Sequence, residues 1–219
     1  MEQSDRDLLR IIEIHAREAC QNHDPAHDAS HVQRVVANAR RILGVERDRH
    51  PAIDDFVVLA ACWLHDVIQL PKGAGPRGES ARQSAQHART FLASLGLDDL
   101  RAEQVASAVG THSYSGGELP ATLEAGIVQD ADRLDALGAI GIARLWVVAG
   151  KMESQLCHPT DPMARERPLD DARYALDHIA AKLLNLPDLM NTPTGRELAQ
   201  QRASYLISYR DQFLDELGE

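Results

Sequence analysis

Apolar residues recur every three or four positions along almost the whole chain, and no segment alternates convincingly. That spacing puts an apolar stripe along a helix, whereas a half-buried strand needs a period of two. Residues 5–21 carry Leu8, Leu9, Ile11, Ile12 and Ile14. Val32, Val35, Val36, Ala39, Ile42 and Leu43 mark a second helix, with Asp28 as its N-cap and Gly44 as its end. Pro51 opens a third, whose buried side runs through Ile53, Phe56, Val57, Ala60, Trp63, Leu64 and Val67. Ser80 caps a helix reaching Gly96, and Asp98 or Asp99 starts another that ends near "SYSGGELP". Residues 121–150 read as one long apolar helix, whose Gly126, Gly138 and Gly141 suit close backbone contact and also permit a kink; two C-terminal helices follow, the last opening with Thr192 and Pro193. The expected fold is all-α, as one domain over 1–219, with abundant Ala and Leu and only 4% aromatics to match.

Charge and cysteine usage narrow the function classes. A net charge of −10 argues against general nucleic-acid binding, so any anionic ligand must meet local cations. Cys20, Cys62 and Cys157 form no CxxC and read as thiols in a reducing compartment. "MEQSDRDLLR" lacks a signal-peptide core, and the oiliest window, 127–150, carries Asp130, Asp132, Arg133, Asp135 and Arg144. These features predict a soluble, cytoplasmic protein with no membrane partner; monomer or homodimer stays open.

The stretch "LAACWLHDVIQL" then poses a problem, because His65 and Asp66 are titratable groups in an oily helix. Burying a polar group without a partner costs roughly 2–7 kcal/mol. His-Asp also occurs at 23–24 and 27–28, but in a polar connecting stretch where Asp28 serves as a cap. Three readings of 65–66 compete: a satisfied hydrogen-bond network, a proton-transfer pair, or metal ligands. His31, in the first turn of its helix, and Asp130, in the apolar 121–150 segment, favour the third. Two imidazoles and two carboxylates from three helices suit Mn²⁺, Fe²⁺, Co²⁺ or Ni²⁺ in preference to Mg²⁺ or a closed zinc site, with two positions left for water and substrate.

With these residues the chain resembles the HD-domain metal-dependent phosphohydrolases, whose H…HD…D pattern maps onto His31, His65, Asp66 and Asp130. "AHDASHVQRV", "CWLHDV", "LPKGAGPRGES", "IVQDADRLDALGAIGIAR", "RPLDDARYALDHIAAKLLNL" and "NTPTGRELAQQRASYL" look like a small bacterial subgroup related to nucleoside-triphosphate pyrophosphohydrolases. The resemblance implies a single HD-type helical bundle, with its metal-site core at about 25–150 and further helices in 151–219. It also implies hydrolysis of a small phosphorylated substrate, a nucleotide first of all. Triphosphate cleavage to monophosphate and pyrophosphate leads; a nucleoside 5'-monophosphate phosphatase and a non-catalytic regulatory module are the alternatives.

Phosphoryl transfer spreads negative charge, so cations near the ion are expected. Arg34 lies one turn beyond His31 on the same face, and Lys72 and Arg77 sit in the glycine-rich loop after the HD pair. His112, spaced with Val105 and Val109, points inward, either as a contact to phosphate or a second ion or as a satisfied core histidine. Lys182 and Arg202 fall in segments matching the subgroup and can reach phosphate or fix helices, while Arg133 orients a carboxylate. Asp66, or Glu79 through a water, is the candidate base. Glu79 also departs from similar proteins, which carry a basic residue in that loop.

Overall fold

The computed structural model describes residues 1–21, 23–70, 76–113 and 117–218. The chain forms two compact units, Met1–Asp132 and Arg133–Glu219. The first contains α1 (Gln3–Ala19), α2 (Ala29–Arg49), α3 (Asp55–Leu64), α4 (Glu79–Ser94), α5 (Asp99–Thr111) and all but the last turn of α6 (Leu123–Asp135). The second holds α7 (Gly138–Lys151), α8 (Asp177–Ala181), a 3₁₀ segment (Leu183–Leu189) and α9 (Pro193–Leu217). The fold is all-α; among the described residues the sole extended pairing is an isolated bridge from Gln155 to Tyr174.

Helix α3 is the axis of the first unit. Residues 56–64 are uniformly apolar and all buried, as an all-round apolar helix must be. It starts later than Pro51 suggested, because Asp54 accepts hydrogen bonds from the Phe56 and Val57 amides at 3.0 and 3.4 Å. It also stops at Leu64, so His65 is its C-cap, still with helical dihedrals (φ −62°, ψ −34°), and Asp66 stands just past its end.

Local chemistry sets the other boundaries. Asp28 caps α2 through the Ser30 and His31 amides, and Asp98 caps α5 through Leu100 and Arg101. Helix α2 runs through Gly44 to Arg49; its buried face, including Ile42, Leu43 and Glu46, outweighs the roughly 1 kcal/mol that glycine costs. Gly78, at φ 78°, precedes α4 in place of Ser80, whose hydroxyl instead accepts from the Leu70 amide at 3.2 Å.

The expected 121–150 helix is two helices. Gly138 takes φ 68°, and a Cβ on Gly141 would lie 2.2 Å from the Ala136 carbonyl oxygen. The chain turns between α6 and α7 through conformations and contacts that only glycine permits. Within the second unit, α7 and α9 meet through Trp146, whose indole N–H donates to the Tyr209 hydroxyl at 2.9 Å. Arg167 orders the long 152–176 segment with a bidentate pair to buried Asp177 at 2.6 and 2.8 Å. Among the described residues, no helix is long and apolar enough to cross a membrane.

Candidate metal centre

Three stretches of the first unit converge beyond the end of α3. His31 enters from the first turn of α2, its backbone N–H fixed by the Asp28 carboxylate. His65 and Asp66 follow α3, and Asp132 comes from α6. The Nε2 atoms of His31 and His65 are 3.2 Å apart. Asp66 Oδ2 is 3.7 Å from each of them, and Asp132 Oδ1 is 3.5 and 3.9 Å from His31 and His65. On the far side of Asp66, Oδ1 lies 3.7 Å from His112 Nε2. His31 and His65 are completely buried.

Proton positions make this arrangement informative. His65 Nδ1 is 2.8 Å from the Cys62 carbonyl oxygen, which can only accept, so the ring proton resides on Nδ1. His112 is fixed in the same way by the Val109 carbonyl at 2.6 Å. Neutral His65 therefore presents its Nε2 lone pair to Asp66, an acceptor. Lone pairs gathered at such separations need a cation among them. Bonds of about 2.0–2.2 Å to nitrogen and oxygen place neighbouring ligand atoms about 3–3.5 Å apart, close to what is found. Among the described residues, His31–His65–Asp132 and His65–Asp66–His112 are the groups able to hold such an ion.

The electrostatics agree. Burial pushes His65 down to about 4, against the pull of Asp66, so its ring is neutral at pH 7. Burial alone would raise Asp66, but His65 and His112 outweigh it and hold the carboxyl well below its ordinary value. Asp132 is lowered by His65 and His31 despite its own desolvation. Neutral His65 beside ionised Asp66 and Asp132 is the protonation state a metal requires. His112 differs: burial would lower it, but the Asp66 carboxylate 3.7 Å away outweighs that and raises it, so it takes up a proton more readily than His65.

Supporting contacts hold the ligands in place. Asn38 donates to the Ala131 carbonyl at 3.0 Å, and Gln129 donates to the Thr111 carbonyl at 2.8 Å, fixing α6 next to Asp132. The Cys20 thiol donates to the Asp66 carbonyl at 3.7 Å, and burial raises its pKa to about 12.

The α6 carboxylate found beside His31 and His65 is Asp132, where the sequence pointed to Asp130. Two residues on a helix differ by about 200° in direction, so both cannot face one point. Asp130 is fully buried on another side of α6 and belongs to neither group. Sequence could not choose because both faces of α6 are buried, leaving no polar side to set the phase. His112 is buried beside Asp66.

The remaining candidates are dispersed. Arg34 donates to the Ser30 hydroxyl at 3.0 Å, which in turn bonds Asp28 at 2.6 Å. Lys72 lies outside the described residues, and Arg77 is exposed ahead of α4. Glu79 is held ionised by hydrogen bonds from Gln83 and Arg82. In the second unit, Arg202 donates to the Leu134 carbonyl at 2.5 Å and Arg133 donates to that of Leu189. These arginines fasten helix ends there; Lys182 follows α8.

Comparison with known proteins gives the chain's family and relatives of the same fold. The HD domain family model matches residues 28–137. YpgQ of Bacillus subtilis is 34% identical over 189 residues, covering 84% of this chain and 80% of the relative. The crystal structure of YpgQ in complex with ADP superposes with a TM-score of 0.75 at 29% identity, spanning 98% of this chain and 97% of that one. An HD-superfamily hydrolase from Bacillus thuringiensis gives 0.71 at 26%, over 98% of both chains.

Proposed function

Because the chain belongs to the HD domain family, we propose that it is a metal-dependent hydrolase of a small phosphorylated substrate, a nucleotide. Within that class the leading reaction is cleavage of a nucleoside triphosphate to monophosphate and pyrophosphate. The observation that carries this reading is the convergence of ligand atoms from His31, His65, Asp66 and Asp132, with the His65 ring proton turned away to the Cys62 carbonyl. The ADP held by YpgQ supports a nucleotide as the substrate class.

In this reading His31, His65, Asp66 and Asp132 hold a divalent transition ion. The ion would supply Lewis acidity toward a phosphoryl oxygen and a water acidified to near neutrality. The protein's part is orientation and proton handling. Cys62 and Val109 carbonyls fix the tautomers of His65 and His112, and Asp28 fixes the first turn that carries His31. Asp66 faces both ways, Oδ2 toward the imidazole pair and Oδ1 toward His112 Nε2. A proton leaving the attacking water therefore has an acceptor in His112 Nε2, whose affinity for it Asp66 raises. Glu79, tied to Arg82 and Gln83, is the weaker candidate for that role. Arg34, Arg77 and Lys72 are proposed to meet the phosphates.

A panel of nucleoside tri-, di- and monophosphates with Mn²⁺, read separately for pyrophosphate and orthophosphate, tests the proposal. Pyrophosphate from triphosphates is the expected outcome. Orthophosphate from monophosphates alone would reassign the bond, and nucleotide binding without turnover under any of Mn²⁺, Fe²⁺, Co²⁺ and Ni²⁺ would overturn the enzyme reading.

A further inference from the structure

A second histidine pair stands apart from the centre just described. His15 on α1 and His87 on α4 place their Nε2 atoms 2.7 Å apart. Their ring planes differ by only 7°, while the ring centroids are 5.0 Å apart. The two nitrogens thus lie between the ring centres, and the rings meet head to head in nearly one plane rather than face on face. Phe91 lies parallel to His15 with centroids 4.0 Å apart, covering one side of the pair. Both histidines are half-buried, so solvent reaches the remaining side.

Two imidazole nitrogens aimed at each other across a helix pair have two states. In one they share a single N–H···N hydrogen bond, which needs an Nε2–H tautomer on one ring. In the other both rings carry their proton on Nδ1 and present two lone pairs to a cation; the tautomer moves and no proton need be released. We propose that His15 and His87 form a peripheral site for an imidazole-preferring divalent ion, Zn²⁺ or Ni²⁺, bridging α1 and α4. A tetrahedral ion with bonds of about 2.0–2.1 Å needs its two nitrogens about 3.3 Å apart. Reaching that arrangement from the head-to-head pair takes an opening of about 0.6 Å and a tilt of about 35° at each ring, so that both lone pairs converge on an ion beside the nitrogen–nitrogen line.

One further feature fits. Burial, together with the His87 charge, lowers the proton affinity of His15 against the opposing pull of Glu18. A lone pair is therefore available at neutral pH, and water on the solvent-facing side completes the shell of an ion held by the two imidazoles.

The location gives such an ion a consequence. Helices α1 and α4 both hold the segment that carries the HD pair. Cys20, at the end of α1, donates to the Asp66 carbonyl, and Ser84 of α4 accepts from the Ile68 amide at 3.1 Å and donates to its carbonyl at 3.3 Å. A cation at His15 and His87 ties these two supports together from behind, so occupancy stiffens the 66–68 segment.

The test is metal stoichiometry on the full chain, stripped with chelator and titrated with Zn²⁺, with Ni²⁺ as a second probe. Wild type is expected to bind two equivalents and His87→Gln one, with Mn²⁺-dependent hydrolysis unchanged in the variant. His15→Gln, checked for native circular dichroism, repeats the measurement from the other helix. Equal stoichiometry in wild type and both variants would overturn the site. Loss of the other equivalent in His65→Ala reports on the first centre, so either assignment can fail without the other.

Discussion

Replacing Asp132 by asparagine separates the two carboxylates that sequence alone left interchangeable. The amide keeps the size and one oxygen donor but removes the charge 3.5 Å from His31 Nε2 and 3.9 Å from His65 Nε2. A carboxylate about 3 Å from a divalent ion, at an effective dielectric near 20, is attracted by roughly 11 kcal/mol. Most of that returns as desolvation of both charges. A net loss of ~3 kcal/mol remains, which at 1.4 kcal/mol per decade is a metal affinity weakened by more than a hundredfold. Asp130→Asn, at a buried position outside both ligand groups, is expected to change affinity less than about threefold and to act on stability instead. Isothermal titration of each variant with Mn²⁺ at pH 7, beside thermal melts of the metal-free proteins, reads the two effects separately. Weakened Mn²⁺ binding in Asp130→Asn with unchanged binding in Asp132→Asn would refute the α6 phase on which the centre rests.

Other outcomes follow from the same geometry. Gly141→Ala forces a Cβ against the Ala136 carbonyl and should destabilise by at least the ~1–3 kcal/mol of an overpacked site, while Gly150→Ala, with open space around it, should not; urea melts compare them. Asp54 is lowered below its ordinary carboxylate range because the Arg101 hydrogen bonds and charge outweigh the burial that would raise it. Its folded pKa being depressed, that stability is present above the unfolded value of about 3.9 and disappears as pH falls through the folded value. Arg101→Gln should therefore lower the urea midpoint at pH 6 and approach wild type at pH 2 to 3; a gap constant with pH would contradict the pairing. Tyr209→Phe removes the acceptor for the Trp146 indole N–H and should cost ~1 kcal/mol in the same assay, more if the N–H is left dry.

Much of this was legible beforehand for a definite reason. Caps, glycine positions and apolar stripes are read from residues three or four apart, so Asp28, Asp98 and the Thr192–Pro193 start of α9 are found where local chemistry puts them. Pro51 misled because Asp54 offered a better cap three residues on, and the α6–α7 break was hidden because glycine suits both close packing and a turn. His31, His65 and Asp66 stood out since an oily context makes a titratable group costly.

The sequence by itself determined that the chain is helical, where the well-capped helices begin, and that a polar pair inside apolar surroundings requires partners. Only the tertiary structure decided which partners. Asp130 and Asp132 sit on one helix whose faces are nearly all buried, so no amphipathic phase marks the side that meets His31. Likewise, His15 and His87 are 72 residues apart, and nothing local relates them. Ligand geometry is set by how helices rotate against each other, a long-range packing property that short-range periodicity does not encode.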